Sequence, residues 1–575
     1  MNRHSSATQR SEAFRLGLLT VTILVIVWTV LAAFGHGFAV RLPLGTLSSR
    51  TASRPFLIAA ALAVLYLALY RHHLQADIRR LANIPWPKTI ATLVTIAAFL
   101  IGVEYCAFLG AGPDASAYVS QAHKWTEGNL HTPIPEWAAH AMWMNSVPAG
   151  APVGYTADAT QQAYVPMVSL GLPVIMSLFE RAGGADAVFY VVPLSGALVV
   201  WGAYLLGRRL AGEWAGALAA ALLMFSPAFL WLLIVPMSDV PVAACWTMAL
   251  VFAMRGGGAA DALASGIAVG IAIVIRPNVA PLAVFPALLL LLSDNRRLTK
   301  VALFGLSAIP AALVIAMING RWYGSPLRSG YGSLDVLYAA GRIPLNLQRY
   351  GGWLVDTQTP LVLVWAAAPF IVNAYDLPRR LLLLLVYPFA VLAMYLAYLN
   401  FNEWGYLRFL LPAYPVMLAS VAAVFVSVAR RLQPKRLAAA AVVIVTLSML
   451  VHEWRFASNA GTFREAEGET RFAHAVGFAR ALPPASILIS DAYSGTLHFY
   501  TGRDVLRWPF IVHGEIDDVL ADLKNGGHRL YFIGDPFEVR EFKEYFSGSD
   551  AATRFETQTL QLWGESFVAS DLTPP

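Results

Sequence analysis

The chain has 575 residues, of which 57% are hydrophobic and only 13% are charged. Soluble domains carry about a quarter of charged residues, so the composition excludes an ordinary soluble protein and indicates a multi-pass membrane protein. The net charge of +6 fits the Arg and Lys that membrane proteins concentrate in cytoplasmic loops, and no nucleic-acid partner is needed to explain it. The two cysteines, Cys106 and Cys245, both lie in apolar runs, so no disulfide framework is expected.

Apolar runs predict about thirteen transmembrane helices, with soft boundaries because several runs are shorter than the roughly 20 residues of a straight span. The expected spans are residues 16–34, 56–70, 89–110, 186–206, 214–234, 240–254, 261–275, 278–293, 301–318, 359–374, 381–399, 407–429 and 437–451.

Short basic loops predict the orientation. They are "RHHLQADIRR", "GRRLAG", "DNRRLTK", "DLPRR" and "RRLQPKR", and they fall on alternate connections between the expected spans. Because basic loops stay in the cytoplasm, we expect these loops and the N-terminus on the cytoplasmic side of the plasma (inner) membrane. This orientation requires residues 164–180 to stay on the outer face as a helix or re-entrant segment. Two long outer segments result, 111–185 and 320–358, and connections of this length are usually functional.

After the last expected span, from about His452, charged residues become frequent. The stretches "ASILISDAYSGTLHFYTGRDVLRWPF" and "IDDVLADLKNGGHRLYFIGDP" predict strand, helix, strand, helix and strand. We therefore expect an all-α polytopic membrane protein with three regions. Residues 1–88 form an N-terminal cytoplasmic segment with two extra transmembrane helices, 89–451 a transmembrane domain with outer segments 111–185 and 320–358, and 452–575 a small α/β extracytoplasmic domain.

Charged residues occur at four places where spans meet the outer surface, in "GPDASAY", "MSDVP", "VIRPN" and "NEWGYLRF". They are Asp114, Asp239, Arg276 and Arg408. A charge at membrane depth costs several kcal/mol unless it is paired or hydrated, so each suggests a functional role.

Each charge also has a structural explanation. Asp114 could begin a solvated loop, and Asp239 could cap a helix that starts at Val240. Arg276 could extend to the interface or pair with an acid, and Arg408 has Glu403 close by in sequence as an ion-pair partner.

The order of motifs resembles the C superfamily of glycosyltransferases (GT-C), polytopic enzymes that use lipid-phosphate sugars and include protein mannosyltransferases and lipid A aminoarabinose transferases. The resemblance covers about Gly112 to Ala423 and rests on "GPDASAYVSQAHKWTEGNL", "YVPMVSLGLPVIMSLFERAGG", "GRRLAGEWAGALAAALLMFSP", "MSDVP", "GIAVGIAIVIRPN", "NGRWYGSPLRSGYG" and "YLRFLLPAYPVMLASVAA". The sequence departs from the family by two additional N-terminal spans and by Ala115 after Asp114, where some members carry a second acid.

The resemblance implies transfer of a hexose or pentose from a polyprenyl-phosphate donor to a hydroxyl of a glycan, lipid or protein acceptor, with inversion. One carboxylate suffices as general base, because a departing phosphate needs no protonation, and Asp114 is the expected base, with Asp239 beside it. Arg276 and Arg408 are expected to bind the lipid phosphate. Some relatives use a divalent metal ion, for which Asp114 and Asp239 are the ligands to test.

Residues of the outer segments are further candidates for substrate contact. The expected substrate-binding loops include Tyr118, Lys124, Tyr164 and Tyr331. The rings of the three tyrosines can stack on sugar faces. Solvated loop positions for Lys124 and an interfacial aromatic belt for the tyrosines are the alternatives. A lipid or glycan transporter is the competing class of function; it would show repeated halves and charges near the membrane midplane, and the sequence has neither.

The orientation can be tested with a reporter that is active only outside the cytoplasm. Fusions after Val451, or within residues 111–163, should be active, whereas fusions after Arg209 or Arg436 should be silent. An active fusion after Arg209 would mean that residues 164–180 cross the membrane.

Overall fold

The computed structural model describes residues 12, 14–22, 25–26, 29, 38–42, 45–49, 53–256, 258–293, 296–372, 379–553, 558–562 and 565–574. The chain divides into two compact units, residues 1–89 and 90–575. The first expected span, 16–34, lies partly outside the described residues.

The described residues of the first unit include a β-hairpin and two complete helices. These elements are β1 (Phe38–Leu42), β2 (Gly45–Ser49), and the helices Ser53–Tyr70 and Leu74–Ala82. Asp77 is buried in this unit; it accepts a hydrogen bond from the Tyr66 hydroxyl at 2.6 Å and lies 3.3 Å from Nε of Arg15. The unit is therefore held by a buried polar contact between its helices.

Long apolar helices establish a multi-pass membrane protein. Among the described residues six helices are long and apolar enough to cross a membrane, or up to eight spans if each of two bent helix pairs counts as one. The six are Ser53–Asp77, Trp86–Glu104, Ala185–Ala211, Arg297–Tyr323, Trp404–Arg431 and Lys435–Asn459. The bent pairs are Glu213–Phe225 with Pro227–Leu233, at 65°, and Leu334–Gln358 with Pro360–Ile371, at 115°.

The count of about thirteen spans is not confirmed. The runs expected to span at 240–254, 261–275 and 278–293 are helical but short: Asp239–Arg255 and Ala259–Ile275 have 17 residues each, and Val284–Leu291 has 8. They are shorter than the roughly 20 residues of a straight span and are not among the candidate spans of the described residues. Apolarity thus located these helices, and their length leaves the span count unconfirmed.

Further helices complete the second unit. They are Gly112–Glu127, Glu136–His140, Ser146–Ala149, Gly171–Gly183, Val191–Ala211, Ile343–Gln358, Ala368–Ile371, Arg379–Leu396, Tyr414–Arg431, Glu465–Ala481, Ser494–Thr501, Ile516–Asn525, Pro536–Tyr545 and Asp550–Thr553, with 3-10 turns at Pro277–Ala283 and Trp404–Ala413. Residues 164–180 fall in a strand and a helix of 13 residues, which is too short for a straight span.

The end of helix Ala259–Ile275 is fixed by its sequence and by a close neighbour. Because proline disfavours the helical conformation of the residue before it, Pro277 leaves Arg276 extended, with φ −145° and ψ 91°. Gly171 lies against this end, since a Cβ there would be 2.4 Å from the Ile275 backbone nitrogen. The Ser169 hydroxyl donates to the Val274 carbonyl at 2.6 Å. Segment 163–183 therefore holds the helix end that carries Arg276.

Two sheets lie outside the helical core of the second unit. Strands β3 (Thr132–Pro133), β4 (Tyr155–Ala157) and β5 (Ala163–Pro166) form an antiparallel sheet in the order β3-β5-β4, with Thr156 opposite Val165. The C-terminal sheet has the order β7-β6-β8-β10-β9. Its strands are β6 (Ser486–Ile489), β7 (Val505–Leu506), β8 (Arg529–Gly534), β9 (Gln558–Leu562) and β10 (Glu565–Asp571). Strands β7, β6 and β8 are parallel, and β10 pairs antiparallel with β8.

The C-terminal α/β segment packs on segment 111–185. Arg507 N donates to the Ala149 carbonyl at 2.7 Å, and Val153 N donates to the Ser494 hydroxyl at 3.0 Å. Trp137 Nε1 donates to a carboxylate oxygen of Asp504 at 3.1 Å. These bonds join a late part of the chain to an early one.

Glu469, in helix Glu465–Ala481, has an unusual environment for a carboxylate. Burial, together with the nearby charge of Glu465 and despite Arg471, raises the pKa of Glu469 to about 8. Cys106 and Tyr500 lie within its electrostatic reach. The folded protein therefore retains a proton on Glu469 that the unfolded chain loses near pH 4.5, and the contribution of this group to stability decreases as pH rises from about 4.5 to about 8.

Glu469→Gln should remove this loss of stability. The melting temperature of the variant, relative to that of the parent, should increase between pH 5 and pH 8 when both are measured in the same detergent. Glu541→Gln, at an exposed glutamate, is the control and should leave the profile unchanged. Parallel profiles for the parent and Glu469→Gln would contradict the elevated pKa.

Candidate active site

A cavity of about 1880 Å³ brings together all four charged residues selected from the sequence. Asp114, Asp239, Arg276 and Arg408 come from four different elements and line the same space. The cavity is also lined by Glu465, Glu467, Glu469, Arg471, Tyr493 and Asp535 of the C-terminal segment. Membrane helices and the α/β segment thus contribute opposite parts of one site.

Asp114 forms an ion pair with Arg408. Gly112 adopts a left-handed conformation with φ 71°, and Pro113 follows in the first turn, where its missing N–H costs nothing. Asp114 therefore lies in the first turn of helix Gly112–Glu127 and not in the expected loop. Its Oδ2 is 2.8 Å from Arg408 Nη1, with 37% of the Asp114 side chain and 18% of the Arg408 side chain exposed.

The suggested pairing of Arg408 with Glu403 is wrong. Arg408 lies in the 3-10 helix Trp404–Ala413, and its ion-pair partner in the structure is Asp114, 294 residues away in sequence. Sequence proximity favoured Glu403 only because the fold was unknown.

Asp239 forms the second ion pair. Its Oδ1 lies 2.7 Å from Arg276 Nη2, and only 1% of its side chain is exposed. Asp239 is the first residue of its helix, and the cap position belongs to Ser238. The capping role considered for Asp239 is therefore wrong.

Ser238 connects the Asp239 pair to Tyr118. The Ser238 hydroxyl oxygen accepts from Arg276 Nη2 at 2.9 Å and from the Tyr118 hydroxyl at 2.9 Å. Burial raises the pKa of Tyr118 to about 12, so the phenol remains a neutral donor at neutral pH. These contacts fix the orientation of the Arg276 guanidinium.

One aromatic ring lies beside both arginines. The Cζ atoms of Arg276 and Arg408 are 6.0 and 5.2 Å from the centre of the Phe409 ring, and a ring within about 6 Å attracts a cation. Phe409 stacks on Tyr395, with ring centres 5.2 Å apart. The two guanidiniums are therefore held on a rigid aromatic support.

Both ion pairs contain polar atoms that have no hydrogen-bond partner among the described residues. Arg276 Nη1, Arg408 Nε and Asp239 Oδ2 are buried and have no hydrogen-bond partner within the described part of the chain. Buried polar atoms are normally paired. The two N–H donors without a partner are suited to binding an anion, since guanidinium groups bind phosphate through charge-assisted hydrogen bonds.

The residues assigned to substrate-binding loops separate into two groups. Tyr118 and Tyr331 line the cavity, whereas Lys124 and Tyr164 do not. Tyr164 is buried, and its hydroxyl donates to the Val147 carbonyl at 2.7 Å. Lys124 lies in the last turn of helix Gly112–Glu127. The expected substrate contact of Tyr164 and Lys124 is therefore not supported, because a hydrogen-bonded sheet and a helix place them away from the cavity.

Other cavity residues were missed in the sequence. Ser238 and Phe409 are immediate neighbours of Asp239 and Arg408, and Asn278 is two residues beyond Arg276. Asn278 Nδ2 donates to the hydroxyls of Tyr338 and Tyr395 at 3.4 and 3.3 Å. Proximity to an intramembrane charge was the available signal for all three.

The described residues contain no group of three or more His, Cys, Asp or Glu side chains that could hold a metal ion. Asp114 and Asp239 each contact a different arginine. These two carboxylates therefore do not fit the metal site considered for them.

A family model supports the resemblance seen in the sequence. The model described as dolichyl-phosphate-mannose-protein mannosyltransferase matches residues 163–322. This stretch includes Asp239, Arg276 and the segment that holds the helix end. No curated protein matches the sequence.

Solved structures extend the similarity to most of the chain. ArnT from Cupriavidus metallidurans bound to undecaprenyl phosphate is 16% identical with a TM-score of 0.50, covering 84% of this chain and 98% of ArnT. The apo oligosaccharyltransferase of Archaeoglobus fulgidus is 12% identical with a TM-score of 0.52, covering 83% of this chain and 73% of its own. AglB from Archaeoglobus fulgidus, in complex with an inhibitory peptide and a dolichol-phosphate, is 13% identical with a TM-score of 0.50, covering 84% and 74%. The chain is thus a polytopic membrane protein with the fold of the GT-C glycosyltransferases, the superfamily that its sequence resembles.

Proposed function

We propose that this protein transfers a sugar from a polyprenyl-phosphate donor to an acceptor hydroxyl, with inversion at the anomeric carbon. The observation that carries the proposal is the cavity itself. It places a partly exposed carboxylate, Asp114, beside two arginines with unfilled donors. A hydroxyl nucleophile needs a base, and a departing phosphate needs positive charge.

Asp114 acts as the general base. Its carboxylate accepts the acceptor's proton as the hydroxyl oxygen attacks the anomeric carbon and the bond to phosphate breaks. Glycoside hydrolysis needs an acid as well as a base because its leaving group is an alkoxide, whereas a phosphate leaves as a stable anion. The ion pair with Arg408 holds the Asp114 carboxylate in position at the start of a helix.

Arg276 and Arg408 bind the phosphate. Arg276 Nη1 and Arg408 Nε are the unfilled donors, and both guanidiniums lie near Phe409. Asp239, almost fully buried and paired with Arg276, has a positioning role in this proposal. We expected it to act directly in catalysis, but its burial favours holding the arginine.

The lipid carrier is the part of the substrate that the comparisons support. ArnT was solved with undecaprenyl phosphate and AglB with a dolichol-phosphate, and the matched family is described by a dolichyl-phosphate sugar. We place the cavity and the C-terminal segment on the outer face of the inner membrane, where a lipid-linked donor and an external glycan, lipid or protein acceptor can meet.

A transporter of a lipid or glycan is the second candidate. The observation that favours it is the two bent helix pairs, at 65° and 115°, because transporters use broken helices at their binding sites. Purified protein in liposomes distinguishes the two functions. The transferase converts donor to product without moving it across the bilayer, whereas the transporter moves an unchanged lipid.

Asp114→Asn should reduce sugar transfer by roughly 10²-fold or more, the loss typical of removing a general base. The amide has nearly the same shape, so folding should be retained, and Asp114→Glu should keep a trace of activity. Transfer is measured with purified protein at matched melting temperature, with Asp518→Asn at an exposed helix position as the control. Parental turnover in well-folded Asp114→Asn would exclude Asp114 as the base.

Arg276→Lys should retain partial activity, because charge is kept but the planar fork is lost. Arg276→Ala should lose nearly all activity and should also weaken donor binding, since the lipid phosphate loses one of its two guanidinium partners. Binding of polyprenyl phosphate and transfer are both measured, and Arg436→Ala, at an exposed arginine, should behave as the parent. Full activity of Arg276→Ala would leave this arginine with a structural role only.

A further inference from the structure

A second cavity of about 870 Å³ lies next to the main one. Glu403 lines both cavities, so the two cavities adjoin at this side chain. Trp404, which lines the second cavity, packs against Trp231 of the main cavity with ring centres 6.0 Å apart. The two cavities are therefore neighbours, and one extended molecule could contact both linings.

Two tryptophans give the second cavity rigid apolar surfaces. Trp404 packs edge-to-face on Phe456, at 5.4 Å and 89°, and Trp353 packs edge-to-face on Tyr350, at 5.7 Å and 76°. Both indoles are only partly buried. Each indole is fixed by a neighbouring ring but keeps part of its surface exposed. Such a surface is suited to the C–H face of a sugar, which contacts aromatic rings through weak interactions.

The polar lining is suited to hydroxyl groups and unsuited to phosphate. Asp356, Asn402 and Glu403 are exposed, and within the described chain their side chains form no hydrogen bond or ion pair. The described lining of this cavity contains two carboxylates and no Lys or Arg. Ionised carboxylates accept strong hydrogen bonds from hydroxyls, but they repel an anionic headgroup.

We propose that the second cavity is a sugar-binding subsite for the acceptor, and that the acceptor is a neutral oligosaccharide lying across Glu403. The role of the oligosaccharide as acceptor rests on the proposed function, whereas its binding in the second cavity does not. The terminal sugar occupies the main cavity near Asp114. The next sugars lie between Trp353 and Trp404 and donate hydroxyl hydrogen bonds to Asp356 and Glu403.

The test is direct binding of neutral oligosaccharides to the full-length protein in phosphatidylcholine nanodiscs. Linear glucose, mannose and galactose oligomers of one to four units are titrated by saturation-transfer NMR. For at least one series, affinity should increase with length in the parent. Asp356→Asn should weaken binding of the longer oligomers about tenfold, as expected for one hydrogen bond to a charged group, and leave the monosaccharide unchanged.

Two further variants make the result decisive. Trp353→Leu should weaken binding of the same oligomers, and Asp518→Asn should match the parent. Absence of Asp356-dependent binding for every series would overturn the proposal. An effect of Asp356→Asn on retention of anionic phosphatidylglycerol in place of oligosaccharide would also overturn it, and would identify a lipid site. Failure of transfer with intact oligosaccharide binding would count against the proposed function alone.

Discussion

The site depends on two carboxylate–guanidinium pairs that face a single aromatic ring. Burying a charge without its partner is costly, and breaking a buried pair costs roughly 3–5 kcal/mol because the remaining charge has no compensation. Asp239 and Arg276 satisfy this requirement in a buried pair, and Asp114 and Arg408 form a second pair that is partly exposed. Phe409 lies within cation–π distance of both arginines. The helices and loops around the cavity hold these five side chains next to one another.

The two pairs are not equivalent. Asp239 is almost completely buried, whereas more than a third of the Asp114 side chain is exposed. Exposure makes a carboxylate accessible to a substrate, and burial makes it a support for its arginine. In the proposed function, the same residue type therefore has two roles that its surroundings decide, a reacting one for Asp114 and a positioning one for Asp239.

The sequence predicted the class of protein, the approximate position of the later helices, and the residues of both ion pairs. It did so because an intramembrane charge is rare and costly, and because strands and helices differ in the period of their apolar residues. It did not predict which acid meets which arginine. That choice depends on long-range packing, as the distance between Asp114 and Arg408 along the chain makes clear.

The errors have the same origin. Tyr164 and Lys124 lie in the expected segment, but a strand and the end of a helix place them outside the cavity. The second cavity could not be recognised at all, because no local pattern brings Trp353, in helix Ile343–Gln358, next to Glu403, which precedes the 3-10 helix Trp404–Ala413. Local patterns indicate which residues are unusual, and only the fold decides which of them are neighbours.

The separation of these partners along the chain has a consequence for synthesis. A membrane protein is inserted from its N-terminus, and domains form as their residues emerge. Asp239 and Arg276 are only 37 residues apart, so they can pair soon after their helices are made. Asp114 can pair with Arg408 only after that arginine has been synthesised. Segment 111–185 forms its hydrogen bonds with the C-terminal segment later still. The cavity is therefore completed only after the C-terminal segment that lines it has been synthesised.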